Sequence, residues 1–325
     1  MLFALDTERK LGQTVAAHLG VAVADHDERH FESGESKTRP AVNVRGRDTY
    51  VVASLAGNQT GSANDKLCRV LFFVGALKEA SARSVTVVAP YLCYSRKDQQ
   101  TKARDPIATR YVAQMFEAVG TDRLVTLDVH NLAAFQNASR CHTDHLQATQ
   151  LFVDYVCQTM AGADVVVVSP DIGGVKRAER FRMRLEAEMG RPIDLAFAAK
   201  LRNRGVISGP ERILGDVEGR VAIVFDDMIA SGGTMRRVAD MLVAQGANMV
   251  YLAATHGVLT PDAAALFSHP SVAKVIVTDT VEPDRLSPDI VGDQLVVLGI
   301  GPLVGEAVAR IHNGGSLSEL LHLET

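Results

Sequence analysis

Cysteine is scarce in this chain. It occurs four times, at Cys68, Cys93, Cys141 and Cys157, and no two of these form a Cys-x-x-Cys pair. That spacing excludes a disulfide framework and a structural zinc site, and it fits a reducing, cytoplasmic compartment. There is no excess of basic residues either. The formal net charge of −4 leaves no electrostatic footprint for nucleic acid. No apolar run approaches the roughly 18 residues that a membrane span needs. The opening Met1-Leu2-Phe3-Ala4-Leu5-Asp6 meets charge too early for a secretory signal. Low-complexity tracts and linker-like stretches are missing as well. What remains fits a soluble globular protein: 47% hydrophobic and 22% charged residues supply a full core, and 325 residues make roughly two domains of ordinary size.

Short apolar runs alternate with helical periodicity. The pattern predicts strands at Tyr50–Ser54, Val85–Ala89, Leu124–Asp128, Val165–Ser169, Leu195–Ala198, Val221–Phe225, Val250–Ala254, Lys274–Thr278 and Leu295–Leu298. It predicts helices over 7–19, 64–82, 107–119, 175–189, 234–245, 261–268 and 303–312. Continuous Val-rich runs between helices indicate parallel strands covered on both faces, with ligands bound beyond their carboxyl ends. A weak symmetry divides the chain. Val85–Pro90 and Val165–Pro170 both end in proline, while Leu124–Asp128 and Val221–Asp227 both end in aspartate. Two copies of one α/β unit, joined near 144–148, would give this pattern.

The most informative stretch is Val221-Ala-Ile-Val-Phe-Asp226-Asp227-Met-Ile-Ala-Ser231-Gly232-Gly233-Thr234-Met235. A strand that runs through small residues into a helix gathers free backbone N–H groups and the positive helix end at one point, which suits a phosphate. The glycines permit close approach, and Ser231 and Thr234 add hydroxyl donors. Asp226 and Asp227 can accept from sugar hydroxyls or hold a divalent cation through water. A site for a sugar phosphate satisfies all of these features. A capped helix with a solvated acidic turn would satisfy only the last few residues.

Other segments carry weaker signals. His130, in Leu127-Asp128-Val129-His130, sits at a strand end, where it can ligate a metal, contact phosphate, or serve as a hydrogen-bonded structural residue. Asp171 precedes Gly173-Gly174 and the cations Lys176, Arg177 and Arg180, so a helix-capping carboxylate is the plain alternative to a ligand. The polar connection Tyr94–Ile107 holds Arg96, Lys97, Lys102 and Arg104, a cluster suited to polyphosphate, although a solvated loop has the same composition. Lys200-Leu201-Arg202-Asn203-Arg204-Gly205 follows a strand. It can be a mobile cationic arm that closes over phosphates or an ordinary surface hairpin.

From about Phe31 to Leu320 the chain resembles the ribose-phosphate diphosphokinases, also called PRPP synthetases. The resemblance rests on Tyr94-x-Arg96-x-Asp98 with Arg104-x-Pro106-Ile107, on Leu127-Asp128-Val129-His130, on Ser169-Pro170-Asp171-x-Gly173-Gly174-x-Lys176-Arg177, and on the Asp226-Asp227 loop, in that order. It implies an α/β fold of two tandem phosphoribosyltransferase-like domains, with parallel sheets flanked by helices. The first domain would span 1–146, with a C-terminal helix over 303–325 packing back on it, and the second 147–302. The implied reaction moves the β,γ-diphosphoryl group of ATP to the 1-hydroxyl of ribose 5-phosphate, with Mg²⁺ as cofactor. Asp226 and Asp227 would meet the ribose, and Ser231, Gly232, Gly233 and Thr234 the 5-phosphate. His130 and Asp171 would meet the metal, and Lys200 and Arg202, with His130, would be catalytic. Phe31, Ser33, Glu35, Arg96, Lys97 and Asp98 would form the ATP site, the Phe31–Glu35 segment reaching a neighbour in a homo-oligomer. Arg45, Ser316 and Ser318 match a regulatory phosphate site. Nucleic acid and membrane are not implied partners.

The chain also departs from the family. Lys97 stands where Gln is usual and Ala230 where many members have Asp. Ala103 and Asn43 each replace a Ser, Leu321 replaces an aromatic residue, and the stretch 57–62 is longer than usual. Two rivals remain: a phosphoribosyltransferase that consumes PRPP, against which the tandem units and the Tyr94–Ile107 segment stand, and a non-catalytic regulatory paralogue, against which His130, Asp171, Lys200 and Arg202 stand. Because Asn43, Ala103 and Leu321 remove hydroxyl and aromatic contacts, the nucleotide should lose more than the small anion. Phosphate is therefore expected to activate, while ADP inhibits weakly or only in competition with ATP. Rates against ADP at saturating ATP check this, and strong cooperative inhibition that persists there contradicts it.

Overall fold

The computed structural model describes residues 1–5, 9–59, 61–203 and 206–321; for residues 9, 200–203 and 206–211 it describes the backbone only. The chain forms two compact units, Met1–Gln147 with Gly299–Thr325, and Ala148–Leu298.

The first unit begins with β1 (Leu2–Ala4), α1 (Arg9–Leu19) and a hairpin of β2 (His26–His30) and β3 (Ser36–Pro40). There follow β4 (Asp48–Val52), α2 (Ala63–Glu79), β5 (Ser84–Val88), α3 (Ala108–Ala118), β6 (Arg123–Leu127), α4 (Leu132–Ala138) and β7 (His142–Leu146). The sheet order β1-β4-β5-β6-β7 is parallel throughout and advances in one direction. Its core joins Phe3, Val51, Val87 and Leu124 to Phe73 and Val74 of α2 and Phe116 of α3. Of the stretch 57–62, residues 57–59 and 61–62 are described and lead into α2. Asn58 N–H donates to Gly61 O, and Ser62 and Asp65 form a reciprocal capping box that satisfies two otherwise orphaned amides.

The second unit contains α5 (Thr149–Met160), β8 (Val165–Ser169), α6 (Val175–Met189), β9 (Asp194–Asn203), β10 (Val206–Leu214), β11 (Val221–Ile229) and α7 (Gly233–Ala244). Then come β12 (Met249–Gly257), α8 (Ala264–Phe267), β13 (Val272–Thr278), α9 (Pro288–Val291) and β14 (Leu295–Leu298). The strand order is β10-β9-β8-β11-β12-β13-β14, parallel except for the β9/β10 pair. After β8 the chain moves to one side, and after β11 to the other. The order therefore reverses between those two strands, which is where open parallel sheets leave a crevice for ligand. Both faces of β11 are buried, as its unbroken apolar run requires. Ala222 and Val224 lie in the core with Val238 and Leu242 of α7. Phe225 stacks on Phe181 of α6 at 4.4 Å and meets Phe152 of α5 edge-on at 5.2 Å. Each aromatic pair adds about 0.5–1.5 kcal/mol beyond the area it buries.

The chain returns to the first unit through α10 (Gly301–Asn313) and α11 (Leu317–Leu320). The expected helix over 303–325 stops at Asn313 because Gly314 takes a left-handed conformation, φ 73°. Two strand ends also move. Val221–Phe225 extends to Ile229, so Asp226 and Asp227 belong to the strand rather than to the turn after it, and Leu195–Ala198 grows into Asp194–Asn203. Helix 261–268 begins as a tight turn over Pro261–Ala263 before Ala264–Phe267. The polar hairpin strands His26–His30 and Ser36–Pro40 carry no apolar alternation to announce them.

α1 lies against β1 because Gly12 has no side chain: a Cβ there would fall on Ala4 Cβ, in a strand held on both faces. Gly12→Ala is expected to destabilise the protein by about 1–3 kcal/mol through overpacking, read as a fall in unfolding temperature. An unchanged transition would contradict this packing.

Candidate active site

The loops after β8 and β11 stand side by side at the sheet reversal, because Val165–Val168 pair in register with Val221–Val224. After β8, Ser169 Oγ donates to Asp171 O at 2.7 Å, and Asp171 Oδ1 accepts from Gly174 N–H at 2.8 Å. A Cβ on Gly174 would lie 2.9 Å from Ser169 Oγ, so glycine lets this turn close tightly before α6. The Asp171 carboxylate is exposed, with one oxygen engaged in helix entry.

The first turn of α6 then carries Arg177 towards β11. Its guanidinium donates to Asp226 Oδ1 and lies 3.2 Å from Asp227 Oδ1. Asp226 Oδ1 also accepts the Asp227 N–H at 2.9 Å. Asp227 is 2% exposed, and the Arg177 guanidinium serves both carboxylates. Burial first, and then the neighbouring Asp227, push the Asp226 carboxyl up to about 7, against the opposing pull of Arg177.

The strand leaves through Ala230-Ser231-Gly232. Gly232 is left-handed, φ 76°, and a Cβ would lie 2.8 Å from Leu266, so both backbone and packing require glycine. α7 starts at Gly233 with no side chain capping its first amides, while Ser231, Gly233 and Thr234 are exposed. Uncapped N–H groups at a positive helix end, flanked by two hydroxyls, make an anion cradle. The cradle is propped from behind: Leu259 N–H donates to Ile229 O and Thr260 N–H to Ala230 O, both at 3.0 Å. Asp171, Asp226, Asp227 and Ser231–Thr234 thus come to one end of one sheet. Nothing in the separate motifs announced Arg177 as the bridge between the two aspartates, although its place three residues after Gly174, at the start of a helix, was visible.

In the first unit, the Tyr94–Ile107 connection folds onto itself. Asp105 accepts from Lys97 Nζ at 2.6 Å, Thr101 Oγ1 at 2.8 Å and Lys102 N–H at 3.1 Å. Lys97 and Thr101 hold its carboxyl down at about 2. Arg96 is exposed, while Asp98 Oδ2 accepts from Asn131 Nδ2 at 2.6 Å. Asn131 in turn caps α4 by accepting from Ala134 N–H. This joins Asp98 to the His130 turn, where Asp128 has a positive φ of 33° and His130 is exposed. Phe31, Ser33 and Glu35 lie at the exposed tip of the β2/β3 hairpin. Ser33 Oγ donates to Glu35 Oε2, and Arg29 covers the Phe31 ring. Arg45 is exposed beside Asn43, whose Oδ1 accepts its amide; Ser316 caps α11, and Ser318 is exposed.

Lys200 and Arg202 lie in strand β9, which pairs antiparallel with β10; their side chains, like Arg204 and Gly205 entirely, lie outside the described residues. His130 belongs to the first unit and Asp171 to the second. Among the described residues, no three His, Cys, Asp or Glu side chains cluster to hold a metal ion. Within the second unit, the exposed Asp171 carboxylate is a hard oxygen donor of the kind that suits Mg²⁺ keeping water and phosphate oxygens as most of its ligands.

Comparison with known proteins agrees with this geometry. Residues 1–120 match the N-terminal domain of ribose phosphate pyrophosphokinase, and residues 203–322 the phosphoribosyl synthetase-associated domain. The chain is 36% identical over 327 residues to ribose-phosphate pyrophosphokinase 1 of Streptococcus mutans, covering 100% of this chain and 97% of that protein. It is 36% identical over 319 residues to the ribose-phosphate pyrophosphokinase of Caldanaerobacter subterraneus, covering 98% and 96%. The crystal structure of phosphoribosylpyrophosphate synthetase from Mycobacterium smegmatis matches with a TM-score of 0.85 at 35% identity, covering 97% of this chain and 99% of that one.

The Asp226 carboxyl yields a pH dependence. Its value is raised in the folded state, so its contribution to stability is complete at low pH and is lost as pH rises from about 4 through about 7. Asp226→Asn removes that slope. Across this range the unfolding temperature of the unsubstituted protein should therefore fall relative to that of the variant, in the absence of ligand. Parallel curves would show that Asp226 is not held protonated by its surroundings.

Proposed function

The chain belongs to the ribose-phosphate pyrophosphokinase family, and from that membership we infer that it converts ATP and ribose 5-phosphate into PRPP and AMP. The 1-hydroxyl oxygen of the sugar bonds to the β-phosphorus of ATP as the bond from that phosphorus to the α-bridging oxygen breaks. AMP leaves with that oxygen, and the hydroxyl proton is released. The observation that carries the reading is the junction at the sheet reversal, where the Arg177-bridged Asp226 and Asp227 adjoin the uncapped start of α7. A sugar phosphate has the matching chemistry: hydroxyls for the carboxylates and a dianion for the amides.

Phosphoryl-type transfer asks for alignment and charge neutralisation more than for a covalent nucleophile. In this proposal Asp226 and Asp227 accept from the ribose hydroxyls and fix the sugar. The amides of Gly232 to Thr234, with the Ser231 and Thr234 hydroxyls, hold the 5-phosphate. Arg96 and Asp98, with Phe31, Ser33 and Glu35 from a neighbouring subunit, bind ATP, which makes the active unit at least a dimer. Lys200 and Arg202 neutralise charge that develops on the transferring group. His130 and Asp171 would hold Mg²⁺, which when bound supplies further neutralisation of phosphate oxygens. Arg45, Ser316 and Ser318 would form a site for activating phosphate. The free, scattered cysteines support a cytoplasmic place for the enzyme. Among the described residues no helix is long and apolar enough to cross a membrane.

AMP formation from ATP, with and without ribose 5-phosphate, tests the activity. Ribose-dependent AMP is expected, and binding of both ligands without turnover would favour a regulatory paralogue. Lys200→Ala and Arg202→Ala should each lower kcat by about 10²–10³ with little change in KM, as for groups that act mainly on transition-state charge. A raised KM at unchanged kcat would contradict that role.

A further inference from the structure

The Lys97 ammonium is directed into its own loop. Its Nζ donates to Asp105 Oδ2 at 2.6 Å and to Thr101 Oγ1 at 3.2 Å. Its backbone is equally committed. The N–H donates to Tyr94 O at 3.1 Å, and the carbonyl accepts from both Thr109 N–H and Thr109 Oγ1 at 3.2 Å. Asp105 is the other half of the knot, accepting from Lys97, Thr101 and the Lys102 amide, while Gln100 Nε2 donates to its carbonyl at 2.9 Å. Two residues here, Tyr94 and Arg104, adopt positive φ of 61° and 69°, which side chains other than glycine adopt only where surrounding contacts hold them. Lys97 and Asp105 are 32% and 26% exposed, so the pair is partly shielded from water and salt. Immediately beside the knot stand Arg96, exposed, and Asp98, tied to the His130 turn through Asn131.

We propose that Lys97 is a positioning residue: with Asp105 it forms an internal clasp that fixes the loop and thereby the presentation of Arg96 to the polyphosphate and of Asp98 to the donor groups of the nucleotide. This rests on the reading that ATP is the diphosphoryl donor. A lysine that instead touched the nucleotide would lose its own contact on substitution, and Asp105 would not matter. A clasp makes the two residues equivalent, because removing either breaks the same contact.

The test is a double-mutant cycle on the full chain: Lys97→Met, Asp105→Asn, and both together. Two readouts serve, the Kd for a non-hydrolysable ATP analogue with Mg²⁺, and the rate of tryptic cleavage after Lys102 and Arg104. Each single substitution should weaken binding by about three- to fivefold, in line with a partly exposed ion pair, and the double substitution should be no worse than either single. Cleavage should accelerate in all three variants, and Lys97→Arg should largely restore both readouts. Unchanged affinity in Asp105→Asn, or losses that simply add, would overturn the clasp. Failure of the unsubstituted protein to bind the analogue would overturn the functional reading itself, and the clasp's role with it. A variant that fails to fold would show as a lost global transition, and the remaining single variant with its Lys97→Arg comparison then decides the question.

Discussion

One guanidinium bridging two carboxylates organises the candidate site. Arg177 reaches both Asp226 and Asp227 because α6 starts directly after β8 and β8 is the neighbour of β11. The bridge holds the two carboxylates side by side in partly buried surroundings. Burial and the neighbouring carboxylate raise the affinity of Asp226 for protons. A polyhydroxylated ligand suits the pair, since its hydroxyls can donate to the carboxylates without adding charge. The same two strands that bring the carboxylates together also aim the open start of α7 at the same crevice, so hydroxyl acceptors and anion donors share one scaffold.

The first unit uses polar side chains differently. Its loop after β5 is long, and Asp105 closes it on itself through three donors, leaving Arg96 exposed beside a rigid base. The β2/β3 hairpin is anchored in a comparable way. Glu28 sits almost fully buried between His26 at 3.0 Å and Arg69 of α2 at 3.5 Å, and Thr38 adds a hydrogen bond to Arg69 O. A buried carboxylate is tolerated only with such partners. Anchoring at the root leaves the Phe31–Glu35 tip exposed without loosening the hairpin. In both places an internal ion pair holds a segment that carries exposed side chains, Arg96 in one and Phe31–Glu35 in the other.

The sequence by itself determined the α/β class, the strand–loop–helix character of 221–235, and the grouping of cations in 94–107. The reasons are local. Apolar runs bounded by small residues fold as buried strands wherever they occur, and Gly232 at a left-handed position leaves few alternatives for the turn. Val165–Ser169 and Leu295–Leu298 appear with the limits the pattern predicts, because each is built on an unbroken apolar run. The strands of the polar hairpin, of His142–Leu146 and of Val206–Leu214 were not legible, since their pairing comes from neighbours rather than from their own alternation.

Tertiary structure alone decided the rest. Strand order cannot be read from periodicity, so only the folded sheet shows that it reverses between β8 and β11 and that Arg177 meets Asp226 across 49 positions of chain. Ion-pair partners are likewise a matter of geometry. Lys97 has two carboxylates nearby in sequence, Asp98 and Asp105, and only the folded loop selects Asp105. Residue types fixed what chemistry was available, and the topology fixed which of those groups stand within hydrogen-bonding distance of one another, because a hydrogen bond depends on position to within a few tenths of an ångström and sequence spacing does not.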